Sequence, residues 1–145
     1  MLTEYAQPAI LMVSAALESL LRAGGVAPDY VAGHSLGEYS ALVSAGSLSF
    51  TDAIRLVRRR GVLMEEAVPA GQGTMAAVLG MDLEAVEAVC RAAAAATRAT
   101  VEVANINSPG QIVISGSKDA VLAAMDLFKK SGARRVIPLA VSGPF

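Results

Sequence analysis

Residues Asp29 to Gly46 read DYVAGHSLGEYSALVSAG, and their order decides the fold: an apolar run, a G-x-S-x-G pentapeptide, then a run of small residues. Asp29 to Gly33 is expected as a short strand and Leu36 to Ala45 as a helix, with Gly33-His34-Ser35-Leu36-Gly37 as the turn between them. A strand-to-helix turn this sharp forces an unusual conformation on its central residue. The glycines two positions to either side are expected to let neighbouring backbone pass without a Cβ clash. Ser35 would then stand clear of the fold at a helix N-terminus, where free N–H groups and the positive dipole end face whatever its hydroxyl attacks. The pentapeptide alone is compatible with several serine chemistries and with a plain glycine-flanked turn.

Upstream, Ile10, Val13, Leu17, Leu20 and Leu21 recur at helical spacing between Gln7 and Ala23, with Pro8 suited to a first turn and Gly24-Gly25 as the stop. This helix is expected to cover one face of the strand and helix that form the elbow, giving an α/β layer arrangement. Downstream, Ser49 and Asp52 form a weak capping box for a third helix that runs to about Ala67, before Pro69-Ala70-Gly71. On a 100° wheel Ala53, Leu56, Val57, Leu63, Met64 and Ala67 share one face, and Arg55, Arg58, Arg59, Glu65 and Glu66 lie opposite. Arg60 breaks the pattern by projecting from the apolar face. An unpaired guanidinium there would cost several kcal/mol, so it demands an anion, either a carboxylate of the chain or one brought by a ligand.

After Gly71 the pattern changes. Thr74 to Leu79 is expected as a strand, Leu83 to about Ala95 as a helix capped by Asp82, and Val101 to Asn107 as a second strand. Ser108-Pro109-Gly110 suits a type II turn, so Gln111 to Ser115 should return antiparallel. Ser117 would cap a helix over Lys118 to Lys130, Gly132 would stop it, and Arg134 to Val141 would supply the last strand. That order, β-α-β-β-α-β, is the ferredoxin-like split βαβ plan. The alanine run Ala92 to Ala96 is expected as a close helix-packing seam.

Composition narrows the function classes. The 145 residues are 54% hydrophobic and 17% charged, which suits a packed domain. Twelve basic and 13 acidic residues leave a formal charge of −1 with no basic tract, so neither nucleic acid nor a membrane surface is expected as a partner. One cysteine, Cys90, and one histidine, His34, cannot assemble a zinc site or an internal disulfide, so no metal is expected. With no basic leader and no apolar run of about 18 residues, a cytoplasmic location is expected.

A serine nucleophile needs a base, and the only imidazole is that of His34, which the turn should direct away from the Ser35 hydroxyl. Taken together, GHSLGEYSALVSAG, Arg60 in RRRG, GQGTMAAVLG, ANINSPGQIVISG and IPLAVSGPF closely resemble the malonyl-CoA:acyl carrier protein transacylase family, the acyltransferases of fatty acid and polyketide synthesis. The resemblance covers the whole chain in five ordered blocks.

What the resemblance implies is a two-step acyl transfer through a Ser35 ester, from malonyl-CoA to the phosphopantetheine thiol of acyl carrier protein, with no bound cofactor. Arg60 matches the family's substrate arginine and would pair with the free carboxylate of malonate, and the Leu36 N–H matches one oxyanion donor. Asn105 and Asn107 match asparagines beside the site, outside direct contact with substrate, while His34 is read from the turn itself as a packed neighbour shaping the elbow. For the asparagines a purely structural role in the hairpin is an equal reading.

In the family the catalytic histidine directly follows the SGPF-type segment, and a second oxyanion donor is a glutamine near the N-terminus of the full domain. Gln72 in Gly71-Gln72-Gly73 imitates that motif without matching its place, so the role is not carried over. The fold class implied is α/β: part of a hydrolase-like parallel α/β subdomain with an inserted ferredoxin-like (βαββαβ) subdomain. The expected bounds are 1-70 for the elbow-bearing part, 71-140 for the insert and 141-145 for a return segment. Alternatives that share features are an acyltransferase domain of a polyketide synthase, a serine esterase or hydrolase, and a fragment inactive by itself.

Overall fold

The computed structural model describes residues 3–69 and 71–145, so Ala70, the middle of the expected Pro69-Ala70-Gly71 break, lies outside the described residues. The chain forms two compact units, Met1–Ala67 and Val68–Phe145.

The described residues of the first unit are helical or irregular: α1 (Thr3–Ala23), α2 (Leu36–Ser44) and α3 (Phe50–Ala67). The α1 helix starts one turn earlier than its pattern indicates, leaving Pro8 inside it. Two features make this possible. Thr3 N–H donates to Glu65 Oε1 of α3 at 2.9 Å, satisfying a donor that a helix N-terminus leaves open, and Pro8 forfeits only the bond to the Glu4 carbonyl. Gly25, at φ +85°, follows the end of the helix.

The elbow's incoming segment, Asp29 to Gly33, is not a strand. A strand is defined by a ladder to a neighbour, and the other described residues of this unit are helices and loops, so the segment has nothing to pair with.

Leu11, Ala53 and Val57 are fully buried here, with Leu36, Tyr39, Val43, Leu48 and Ile54 packed around them. α1 meets α3 at Gly61, where a Cβ would stand 2.5 Å from the Glu4 Cα. The wheel of α3 therefore turns from its expected setting. Ala53, Val57 and Gly61 are buried, whereas Leu56 and Leu63 are nearly half exposed. Arg58, though its side chain stays 41% exposed, is tied to α1: its Nη1 donates to Glu4 Oε2 at 2.5 Å, and its guanidinium lies 4.9 Å from the Tyr5 ring centroid.

The α1 stripe is also corrected, for Ile10, Val13, Leu17, Leu20 and Leu21 are all more than half exposed. The line that faces its neighbours is Gln7, Leu11, Glu18 and Arg22. Arg22 and Glu18 clasp the end of α2, with Arg22 Nη2 donating to the Ser44 carbonyl at 2.7 Å and Ser44 Oγ to Glu18 Oε1 at 3.1 Å. The Arg22 hydrogen bond outweighs burial and holds the Glu18 carboxyl below its ordinary pKa.

In the second unit β1 (Gly73–Leu79), α4 (Leu83–Thr97), β2 (Val101–Ser108), β3 (Gln111–Ser117), α5 (Lys118–Lys130) and β4 (Arg135–Pro138) build a four-stranded sheet of order β2-β3-β1-β4, with every pairing antiparallel. Alternation along the strands sends Ala76, Val78, Ile112 and Ile114 into one core with Val86, Val89 and Ala93 of α4 and Val121, Ala124 and Phe128 of α5. Within the alanine run Ala93 is fully buried and Ala94 packs partly buried against the same core, whereas Ala92, Ala95 and Ala96 are exposed, so the seam takes in only part of the run.

The turn chemistry acts as expected. Ala85 N–H donates to Asp82 Oδ1 at 2.8 Å, and Gly110, at φ +73°, sits in the turn that brings β3 back against β2. Ser117 differs, since its hydroxyl makes no cap and donates to the Thr100 carbonyl at 3.3 Å. The last strand is shorter than expected, Arg135–Pro138, with Pro138 still opposite Ala76 and Leu139 N–H donating to the Met75 carbonyl at 3.0 Å just beyond it.

Candidate active site

Ser35 carries the backbone signature the turn requires. It sits at φ +55°, ψ −106°, and it and Arg98 are the two described non-glycine residues with positive φ. Gly33 is what allows it. A Cβ there would run into the carbonyl of Gly37 and the N of Glu38, so the incoming chain crosses the first turn of α2 at a distance only glycine permits. Gly37 is different from its expected role, because a Cβ on it would meet nothing within 4 Å.

The same dihedrals explain what the Ser35 hydroxyl does. A serine at a helix N-cap ordinarily has extended backbone and accepts an N–H from the first turn; Ser35 occupies the N-cap position without extended backbone and makes no such bond. Gly37 N–H instead goes to the His34 carbonyl at 2.9 Å, and Glu38 N–H to the Ser35 carbonyl at 3.3 Å. The turn therefore uses neither the Ser35 hydroxyl nor the N–H of Leu36, the first residue of α2. Both Ser35 and His34 are exposed.

Arg60 reaches the hydroxyl from α3. Its Nη2 donates to Ser35 Oγ at 2.8 Å, its Nη1 donates to Gln7 Oε1 of α1 at 2.5 Å, and its guanidinium lies 5.8 Å from the Tyr39 ring centroid of α2. Among the described residues no carboxylate lies within 4 Å of it, in contrast to Arg58, Arg55 and Arg22, each of which is ion-paired. The requirement for an anion is thus not met by an internal carboxylate: Arg60 is held by neutral partners.

Beside it an open groove of about 430 Å³ is lined by residues that include Tyr39, Leu56, Arg59, Arg60, Leu63 and Met64. An exposed hydroxyl, a cation bonded to it and an apolar groove at that cation can hold a small acyl group that ends in a negative charge.

Gln7 is the residue the sequence reading missed. It is 4% exposed, the one buried polar side chain among the described residues. The signal lay in its spacing, one helical turn before Leu11 on the line of α1 that faces α3, where a polar residue demands a partner as Arg60 does.

Asn105 and Asn107 belong to the second unit, on its edge strand β2. The register against β3 shifts between Val103 and Asn105 and again between Ile106 and Ser108, so Asn105 pairs with Val113 beside the extra residue Ala104, and Asn107 is itself the extra residue of the second irregularity. Among the described residues no cluster of histidine, cysteine, aspartate and glutamate could hold a metal ion, and no helix is long and apolar enough to cross a membrane.

Residues 1–142 match the acyl transferase domain family. The chain is 56% identical over 144 residues to the malonyl CoA-acyl carrier protein transacylase of Bacillus subtilis and 51% identical over 143 residues to that of a Staphylococcus aureus strain, in each case over 99% of this chain. It spans 45% and 46% of those two proteins, a little under half their length. Among solved structures, FabD of Acinetobacter baumannii superposes with a TM-score of 0.94 at 50% identity, over 99% of this chain and 46% of that one. A malonyl-transacylase solved in complex with a type II polyketide synthase acyl-carrier protein superposes with a TM-score of 0.93 at 49% identity, over the same shares.

Proposed function

The chain belongs to the acyl transferase domain family, and from that premise we propose that it carries the nucleophile and the carboxylate clamp of a malonyl transferase serving fatty acid synthesis. The observation that carries this reading is the bond between Arg60 Nη2 and Ser35 Oγ. A cation in contact with the nucleophile, and unneutralised by a carboxylate, suits an acyl group with a free carboxylate and has no use in a plain esterase.

In the proposed reaction Ser35 Oγ attacks the thioester carbonyl of malonyl-CoA as the hydroxyl proton leaves to a base. The developing oxyanion is met by the Leu36 N–H at the start of α2, the carbon–sulfur bond breaks, and coenzyme A leaves as the thiol, taking up a proton. The malonyl ester then passes to the phosphopantetheine thiol of acyl carrier protein, whose sulfur attacks the ester carbonyl and returns the Ser35 hydroxyl. Arg60 holds the malonate carboxylate through both steps. His34 is read as shaping the elbow; for Asn105 and Asn107 the role the resemblance gives them and a structural role in their own hairpin stay equal readings; the base is not assigned among these residues. The reaction as drawn calls for no bound cofactor, coenzyme A entering only as the substrate's carrier.

The strand order β2-β3-β1-β4, with both helices packed on one face, supports reading the second unit as a ferredoxin-like insert. The elbow geometry supports reading the first as part of a hydrolase-like subdomain.

Incubation of the chain completed to the length of its relatives with labelled malonyl-CoA, with and without acyl carrier protein, tests the function. Label on the protein that is chased onto acyl carrier protein is expected; release as free malonate at the same rate with or without acyl carrier protein would favour a hydrolase.

A further inference from the structure

We infer that Gln7 is the positioning residue that holds Arg60 against Ser35 without neutralising it, and thereby sets the preference for acyl groups bearing a carboxylate. The inference rests on the proposed role of Arg60.

Its basis is the wiring of one amide. Gln7 Nε2 donates to Thr3 Oγ1 at 3.0 Å and lies 3.3 Å from Met64 Sδ, so both amide hydrogens are directed and the orientation of the amide is fixed. The carbonyl end is left facing Arg60, whose Nη1 it accepts at 2.5 Å. A flipped amide would set N–H against N–H. Because Gln7 is buried and lies on the helix that packs against α3, this acceptor cannot drift, and it fixes the guanidinium whose other nitrogen bonds Ser35 Oγ.

The neutrality of the acceptor matters as much as its position. Arg58, two residues earlier on α3, has its charge met by Glu4. Arg60 has an amide oxygen, a hydroxyl and an aromatic ring around it, each stabilising the cation and none cancelling it. A substrate carboxylate entering the groove would replace the Ser35 hydroxyl on Nη2 and find the full charge available, while Nη1 remains anchored to Gln7.

The test uses the chain completed to the length of its relatives, with malonyl-CoA and acetyl-CoA as paired acyl donors. Gln7→Met keeps the volume and removes the acceptor, and it adds no charge to the interior. Gln7→Glu keeps an acceptor and adds the negative charge. Each is expected to lower malonyl relative to acetyl kcat/KM by about tenfold, the equivalent of one misplaced or neutralised ion contact of ~1.4 kcal/mol, with the change carried mainly by KM for malonyl-CoA.

Arg60→Ala is measured alongside to separate the two claims. If Arg60→Ala loses malonyl transfer selectively while both Gln7 variants lose malonyl and acetyl transfer in equal proportion, Gln7 is merely structural and the inference falls while the role of Arg60 stands. If Arg60→Ala itself is unselective, the reading of Arg60 falls and takes the inference with it.

Discussion

Replacing Arg60 by alanine removes one guanidinium and therefore three things at once: the contact with Ser35 Oγ at 2.8 Å, the contact with Gln7 Oε1 at 2.5 Å, and the only charge bonded to the Ser35 hydroxyl among the described residues. For a malonyl donor the loss is a two-pronged pair with its carboxylate, made through Nη2 and Nε while Nη1 stays on Gln7. Charge-assisted hydrogen bonds contribute ~1.5–3 kcal/mol each, and the groove at Arg60 is open to solvent, so the lower end of the range applies. Two such bonds amount to ~3 kcal/mol, or roughly 150-fold in kcat/KM. An acetyl donor has no carboxylate and loses only the polarising contact on Ser35, worth at most ~1 kcal/mol or about fivefold. The malonyl-to-acetyl ratio should therefore fall by roughly thirtyfold. The assay is transfer to acyl carrier protein from each coenzyme A ester, with kcat and KM resolved separately, in the chain completed to the length of its relatives. Losses that agree within a factor of a few for the two donors would refute the carboxylate-clamp reasoning.

The two elbow glycines should respond oppositely to alanine. Gly33→Ala drives a Cβ into the Gly37 carbonyl and should destabilise the first unit by at least ~2 kcal/mol and abolish labelling of Ser35, whereas Gly37→Ala meets open space at a helical position and should be neutral or stabilising by ~0.5–1 kcal/mol; thermal melts of both check this. Cys90 supplies a pH test. Burial, then the charges of Glu102 and Glu87, push its thiol up to about 11 from an ordinary value of 9.0. Over that window the unfolded chain binds fewer protons at this site than the folded one, so stability is fully present below pH 9 and falls as pH rises toward 11. A Cys90→Ala variant should show a shallower decline, and urea melts across that pH range would expose an equal one.

The parts of the fold written in local chemistry were legible in the sequence. Gly33 and Ser35 announced the elbow, Ser49 and Asp52 the start of α3, Asp82 that of α4, and Pro109-Gly110 the antiparallel return of β3, because each of these residues acts on backbone within a few positions of itself. What could not be read depends on neighbours far along the chain. Asp29 to Gly33 has the composition of a strand, but its neighbourhood within the first unit is helical and provides no ladder. The α1 stripe was wide enough to be read as the packing face, yet the flank that meets α3 runs through Thr3, Glu4 and Gln7, ahead of Ile10, Val13 and Leu17. The environment of Arg60 was legible as a need for an anion. That it is kept company by an amide and a hydroxyl in place of a carboxylate is a fact of three helices meeting, and no single helix encodes it.

The central claim is that Ser35, held in its strained turn, is the atom that takes the acyl group. Intact mass followed by peptide mapping, after brief incubation of the completed protein with malonyl-CoA in the absence of acyl carrier protein, tests it most directly. One malonyl group per chain, located on the peptide containing Ser35, released by holo acyl carrier protein and absent from Ser35→Ala, is the expected result. A malonyl group found on any other residue, or found undiminished in Ser35→Ala, would contradict the account.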